Sequence, residues 1–301
     1  MGGWDLPPFD GLFYPAAKKR GFRKLEFYSR FFDFVELNGS FYNPSFTSLQ
    51  VRQWLRDVEA NERFIFSVKL FRGFTHERDA SGRDALSVCR LLDQLASGGR
   101  FGGLLMQFPY SFRNTQINRE HLLNLCTLFR EYLRFVEVRH NSWNSPPVLK
   151  LFDDAGVIPV NVDLPQIRNH MPLTTLVRNG FSYFRLMGRN SETWEQPWNF
   201  DEGGTHLVSD RYLYHYNPME LAELGDSIRS TMKTASSVFV VFHNDPQAHS
   251  LINGFQVRKI LEPGRAIIAP PTLVRRFPGL ASFVESSTGE LIPLFGNTHT
   301  R

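Results

Sequence analysis

Seven short apolar runs rich in Val and Phe recur along the chain, at 33–38, 64–70, 101–108, 134–139, 157–163, 181–187 and 237–243. Each has the length and composition of a buried strand. Between them lie stretches of helical periodicity near 24–31, 48–58, 83–97, 117–132, 146–155 and 218–233, and a further one at 246–261. In 83–97 the residues Leu86, Cys89, Leu92 and Leu95 fall on one stripe, and Pro218 stands at a first helical position, where its missing N–H is harmless. Strands alternating with helices predict a mostly parallel sheet wrapped by helices, closed as a barrel or open and doubly wound. Seven strands plus the N-terminal stub GGWDLPPFDGLFYP predict the TIM-type (β/α)8 barrel with a minimal or truncated first strand. One domain is expected over 1–262. The Pro-rich stretch 263–301 is expected to pack on it as an irregular extension with mobile last residues. Segment 188–217 has little regular pattern and reads as a lid or binding loop.

Side chains alternate across a strand, so parity assigns faces. Val35 and Leu37 share one face, while Phe34, Glu36 and Asn38 share the other. In 134–139 Val136 and Val138 oppose Phe135, Glu137 and Arg139. The polar parity continues with Ser67 and Lys69, with Gln107, with Asn161 and Asp163, and with Tyr183 and Arg185. Faces that meet helices are apolar, so the polar parity is expected to point into the barrel. Its upper interior would then hold Glu36, Lys69, Glu137, Arg139, Asp163 and Arg185, near the C-terminal strand ends where barrel enzymes place catalytic groups. Buried charges must pair or hold something, because an unpaired one costs several kcal/mol. A self-neutralising network that only fixes the barrel is the structural alternative to a ligand site.

Composition narrows the class. Apolar residues make up 42% of 301 and charged residues 21%, as in ordinary soluble domains. There is no spanning run of about 18 apolar residues. The start MGGWDLPPFDG has no basic and apolar leader, so a cytoplasmic protein is expected. Cys89 and Cys126 read as two core thiols. The formal charge of +4 comes without a basic run longer than Lys18-Lys19-Arg20, so charge does not favour nucleic acid. The 28 Phe residues are expected mostly in the core.

The runs DFVELNGSFYNPSF, Phe66-Ser67-Val68-Lys69 with Thr75-His76, LLMQFPYSF, VEVRHNSW, Arg185-Leu186-Met187-Gly188-Arg189 and VVFHNDPQAH with Asn253 carry a further signal. Together they resemble the YecE-like family, domain of unknown function 72, over about residues 4–262. The resemblance implies a TIM-type barrel and a bacterial or archaeal cytosolic protein, and no function. Three positions depart from the family's pattern. Only Met1-Gly2 precede Gly3-Trp4, where the family has a full strand. Met187 stands where His is usual, and His243 where Asn or another small polar residue is usual. His243 is therefore a candidate to replace the imidazole missing at 187.

Three chemistries suit these residues. For an anion site, the loops Gly188-Arg189-Asn190-Ser191 and Asn244-Asp245-Pro246-Gln247 would bind phosphate, with Lys69, Arg139 and Arg185 adding charge. For acid–base work, Glu36, Glu137 and Asp163 offer carboxylate pairs such as glycosidases use, with Trp143, Trp194 and Trp198 as sugar platforms, although neighbouring arginines would lower their pKa values. For a divalent metal, the only cofactor suggested, Glu137, His140, Asp163 and His243 are oxygen and imidazole ligands without a compact motif. The Gly98-Gly99 and Gly102-Gly103 pairs precede a strand and read as turn glycines. Asn38-Gly39-Ser40-Phe41-Tyr42 would present Ser40 and Tyr42 at the mouth, and His76 is expected to reach it. The leading expectation is an enzyme acting on an anionic, phosphate-bearing substrate. In it Lys69, Arg185, Arg189 and Arg139 bind charge, Glu36, Glu137 and Asp163 orient substrate or act as general base, and Asn38, His76, Gln107, Gly188 and Asn244 place hydrogen bonds and backbone. The alternative is a non-catalytic binding module for nucleic acid or a protein partner.

Overall fold

A computed structural model describes residues 1–194 and 210–286. Eight strands follow the predicted runs: β1 (Phe34–Leu37), β2 (Ile65–Lys69), β3 (Phe101–Gln107), β4 (Arg134–Glu137), β5 (Ile158–Pro159), β6 (Asn161–Asp163), β7 (Phe181–Leu186) and β8 (Ser237–Phe242). All neighbouring pairs are parallel. The helices are α1 (Lys24–Ser29), α2 (Gly39–Tyr42), α3 (Ser48–Asp57), α4 (Gly82–Ser97), α5 (Gln116–Leu128), α6 (Pro146–Asp154), α7 (Pro218–Met232), α8 (His249–Leu261) and α9 (Pro271–Arg276). Thr47, Ser81 and Asn217 close capping boxes that start α3, α4 and α7. The fold is thus α/β with parallel strands, but the sheet is not closed. Hydrogen bonding runs β1-β2-β3-β4-β5 in one sheet and β6-β7-β8 in another. The fifth predicted run supplies both β5 and β6, split where Pro159 has no N–H to give to a ladder.

The second gap lies between β1 and β8. There the Glu36 N–H donates to the Met1 carbonyl (3.0 Å) and the Asn38 amide donates to the Gly2 carbonyl (2.8 Å). Met1 and Gly2, both buried, thus lie along the open edge of β1 without forming a strand. Beside them a cavity of about 190 Å³ opens between Phe32, Phe34, Val240, Phe242 and Leu261.

Parity holds for most strands. Phe34, Leu105, Phe135, Ile158, Val160, Tyr183, Phe239 and Val241 pack together between the two sheets. Phe34 meets Phe239 at 4.8 Å, and Phe135 meets Tyr183 at 4.8 Å. The fifth run is the exception. Ile158 and Val160 take the inner side, so Asn161 and Asp163 face away from it. Asn161 instead pins the segment 174–176, accepting from Thr174 and from the Leu176 N–H.

Two helical and glycine expectations are also corrected. The buried stripe of α4 is Val88, Leu91, Leu92 and Leu95, with Cys89 beside it. Leu86 lies roughly 160° around the helix from Val88 and is exposed. Gly102 and Gly103 are not turn glycines; they lie inside β3, at a register shift against β2. Gly103 has φ +138°, and a Cβ there would strike the Phe135 ring. We expect Gly103→Ala to destabilise by about 2 kcal/mol from backbone strain and overpacking, read as a lower urea midpoint at constant m. A midpoint unchanged within error would refute this packing.

Beyond α8 the chain adds a short parallel pair, β9 (Ile267–Ala269) with β10 (Val284–Ser286). The predicted mobile end lies outside the described residues, as does half of the expected 188–217 lid, residues 195–209. The last predicted helix is broken at its start, because Gln247 and Ala248 take left-handed φ of 56° and 61°. Much of the Phe content gathers near the N-terminus, where Phe13 packs edge-on against Tyr14, Phe27 and Phe31. Among the described residues no helix is long and apolar enough to cross a membrane.

Candidate functional site

Above the aromatic layer, the C-terminal ends of β1, β4, β7 and β8 bring their charges to one buried guanidinium. Arg185 donates through Nε and Nη2 to both oxygens of Glu36 (2.9 and 2.7 Å) and through Nη1 to Glu137. Its Nη2 also lies 2.8 Å from His243 Nε2. Tyr183 donates to Glu36 (2.8 Å), with the Ser67 hydroxyl 2.9 Å from the phenol oxygen. Arg139 donates its Nε to the second oxygen of Glu137 (2.7 Å). The side chains of Glu36 and Glu137 are fully inaccessible to water, and that of Arg185 almost so. An arginine suits this place because its planar fork can serve two carboxylates at once.

The electrostatics follow from burial and pairing. Burial alone would raise the Glu36 carboxyl, but the Arg185 charge overrides it and holds the group well below the usual range. Glu137 is also buried, and Arg185 with Arg139 lowers it. Both are therefore carboxylates near neutrality and neither is a proton donor, which removes the acid half of a glycosidase pair. Burial, then Arg185, pushes His243 down to about 4, so its imidazole is neutral and accepts from Arg185.

At the rim of this network stands Lys69. Its Nζ lies 4.0 Å from the centre of the Phe41 ring and has no hydrogen bond or ion pair among the described residues. Burial, then Arg185 and also Arg139, brings its amine down to about 7 against the opposing pull of Glu36 and Glu137. His76 belongs to a π-helical turn (Gly73–Glu77) and sets its ring edge-on to Phe41 at 4.9 Å. Burial and the charges of Lys69, Arg139 and Arg72 lower His76 to about 4. Arg139 is partly exposed, and its two terminal nitrogens have no partner among the described residues.

The other predicted residues lie elsewhere or bond locally. Asp163 faces away from Arg185 and is gripped by Arg189 (3.0 Å) and by the Tyr216 hydroxyl (2.6 Å). Arg189 also approaches Glu220 and Glu223 at 3.6 and 3.4 Å, so its charge is spent on acids of this chain. Gly188 has φ +91° and gives its N–H to Tyr216 (2.9 Å). Asn244 ties the last loop to Tyr214 and Asn253, and the Gln107 amide turns back to the Phe108 carbonyl. Asn38 holds Gly2 as described above. His140 caps the 141–143 turn by accepting from the Ser142 N–H. Among the described residues no three His, Cys, Asp or Glu side chains gather as a metal site. Met187 packs with Val162, Leu164, Met171 and Trp194 rather than standing at an ionic position. Trp143 is buried between Phe112 and Phe152, Trp194 is buried, and Trp198 lies outside the described residues.

Two contributors escaped the sequence reading. Phe41 does what Ser40 and Tyr42 were expected to do: Ser40 is buried against the Leu37 and Lys69 carbonyls, and Tyr42 is largely exposed. The one available signal was a large apolar residue just after the strand-ending Asn38-Gly39. Tyr216 sits in an irregular stretch with no pattern to mark it.

Comparison with known proteins agrees with the shape and leaves the chemistry open. The chain is 29% identical over 287 residues to UPF0759 protein YunF of Bacillus subtilis (strain 168), covering 90% of this chain and 96% of that protein. A DUF72 family protein of Thermotoga maritima MSB8 superposes with a TM-score of 0.71 at 25% identity, over 87% of this chain and 97% of that one. One from Enterococcus faecalis V583 does so at 0.69 and 27%, over 81% and 90%. The family model described as "Protein of unknown function DUF72" matches residues 1–275, and the chain belongs to that family.

Proposed function

We propose that the strands form an open TIM-type barrel, and that the protein is a cytoplasmic enzyme binding an anionic, phosphate- or carboxylate-bearing substrate at their C-terminal ends. The observation that carries this reading is the uneven pairing of charge. Glu36 and Glu137 are already neutralised by Arg185 and the Nε of Arg139. Lys69 and the outer nitrogens of Arg139 are left over at the partly exposed rim. A network built only for stability has little reason to include Lys69, a third cation against two carboxylates, since it carries a desolvation cost without a counter-charge. An anion arriving there gains bidentate donors from Arg139 and offsets the surplus positive charge beside Lys69.

The test is a thermal melt with inorganic phosphate at constant ionic strength. Phosphate well above its dissociation constant is expected to raise Tm by on the order of 2–4 °C. Arg139→Gln should abolish the rise. Arg189→Ala should keep it, because Arg189 is engaged by Asp163, Glu220 and Glu223. A wild-type protein indifferent to phosphate, or one whose response disappears with Arg189 and not Arg139, would overturn the reading.

A further inference from the structure

Resting on that anionic site, we propose that Lys69 is a nucleophilic amine that condenses with the carbonyl group of an anionic aldehyde or ketone, while Arg139 holds the substrate's negative group. The placement argues for a nucleophile rather than a fixed counter-ion. Lys69 ends β2, with its side chain partly open to solvent and free of hydrogen bonds among the described residues. Among the described residues the charged and titratable groups around its amine include Glu36 from β1, Glu137 and Arg139 from the end of β4, Arg185 from β7, His243 after β8, and His76 of the π-helical turn with Arg72 beside it. Both carboxylates are bonded to guanidinium groups, so neither offers the amine a contact ion pair. The Phe41 face favours the ammonium, but less than two flanking guanidiniums and burial disfavour it. An amine brought to about 7 is roughly half unprotonated at neutral pH, where an ordinary lysine is almost wholly protonated.

The chemistry balances without an outside oxidant or reductant. The Nζ lone pair forms a bond to the carbonyl carbon, and the carbonyl π pair moves to oxygen, which takes up a proton. The nitrogen of this carbinolamine gives up a proton to His76, which passes it to the hydroxyl group. The nitrogen lone pair then expels that group as water, and a protonated imine remains, the one net proton having been taken from solvent when the carbonyl oxygen was protonated. His76 is neutral near pH 7 and within electrostatic reach of Lys69, which suits it to carry the proton between these steps. Arg185 and Arg139 disfavour a second cation before reaction and are offset by the substrate's own charge once it binds.

The experiment incubates the full chain at pH 7 with pyruvate and sodium cyanoborohydride, then maps reduced adducts by peptide mass spectrometry. Lys69 is expected to be labelled at least about tenfold faster than the exposed Lys150, because it holds far more free amine at that pH. The excess should saturate with pyruvate and fall in Arg139→Gln. Lys69→Arg should lose the adduct while remaining folded by circular dichroism, and labelling of the other lysines should be unchanged. Labelling of Lys69 at the rate of Lys150 overturns the proposal even where phosphate still stabilises the protein. Preferential labelling with no phosphate response, and equal labelling by uncharged acetone, overturns the anionic site instead.

Discussion

Arg185→Met is expected to cost the fold about 3–5 kcal/mol, the usual effect of removing one partner from a buried ion pair. The mechanism is specific. Glu36 would keep only the Tyr183 hydroxyl and the His243 ring, whose Nε2 lies 3.2 Å from it, and Glu137 only the Nε of Arg139, and both would remain out of water. The loss should show as a lower urea midpoint at unchanged m. Arg185→Lys should recover only part of it, since one ammonium cannot make a two-point contact with Glu36 while also reaching Glu137. Combining Arg185→Met with Glu36→Gln and Glu137→Gln should recover more than Lys does, because the buried charges are then gone. An Arg185→Met protein within about 1 kcal/mol of wild type would mean that the carboxylates have water or another partner.

Acidification is the second large effect. A carboxyl whose folded pKa is lowered stabilises the fold above its unfolded pKa, and that stability is lost as pH falls through the folded value. Glu36 and Glu137 are both lowered, so their contribution drains away below the ordinary carboxylate range. His243 acts in the same direction but earlier. Burial and then Arg185 bring it from 6.5 to about 4, so between these values the unfolded chain binds a proton that the folded one refuses. Stability therefore falls as pH drops from about 6.5 to 4, by about 3 kcal/mol from this residue at most. His243→Asn keeps a polar group and removes the titration. It should lessen the slope of the Tm–pH curve in that window, where His76, also brought to about 4, keeps its own share, and leave the steeper loss below it. A variant with an unchanged slope from pH 6.5 to 4 would show that His243 is not the group responsible. Lys69 titrates on the alkaline side, where its lowered pKa makes stability rise between about 7 and 10.5, less steeply because it is partly exposed.

Period-two patterning was enough to place Phe34 and Glu36, Phe135 and Glu137, and Tyr183 and Arg185 on one inner side, because each strand has apolar residues at the alternate positions. It misled in 157–163, where nearly every position is buried and the chain changes sheets at Pro159. There parity has no polar outer face to anchor it. The same weakness split the expected ring of six: Asp163 turned away to meet Arg189. Which cation pairs with which carboxylate is set by three-dimensional reach, so no spacing could reveal that Arg185 bridges two acids or that Lys69 is left over. The roles of Gly102 and Gly103 were hidden for a related reason, since a bulge is defined by the neighbouring strand.

The bridging guanidinium also has a consequence for biosynthesis. Glu36 lies 149 positions ahead of Arg185, and Glu137 lies 48 ahead. On a ribosome, the acids emerge well before the base that makes their enclosure tolerable. Until β7 has been translated Glu36 lacks its guanidinium partner and Glu137 has only Arg139, so burial of the aromatic floor beneath them is disfavoured before then. Final consolidation is thereby tied to a late stretch of the message.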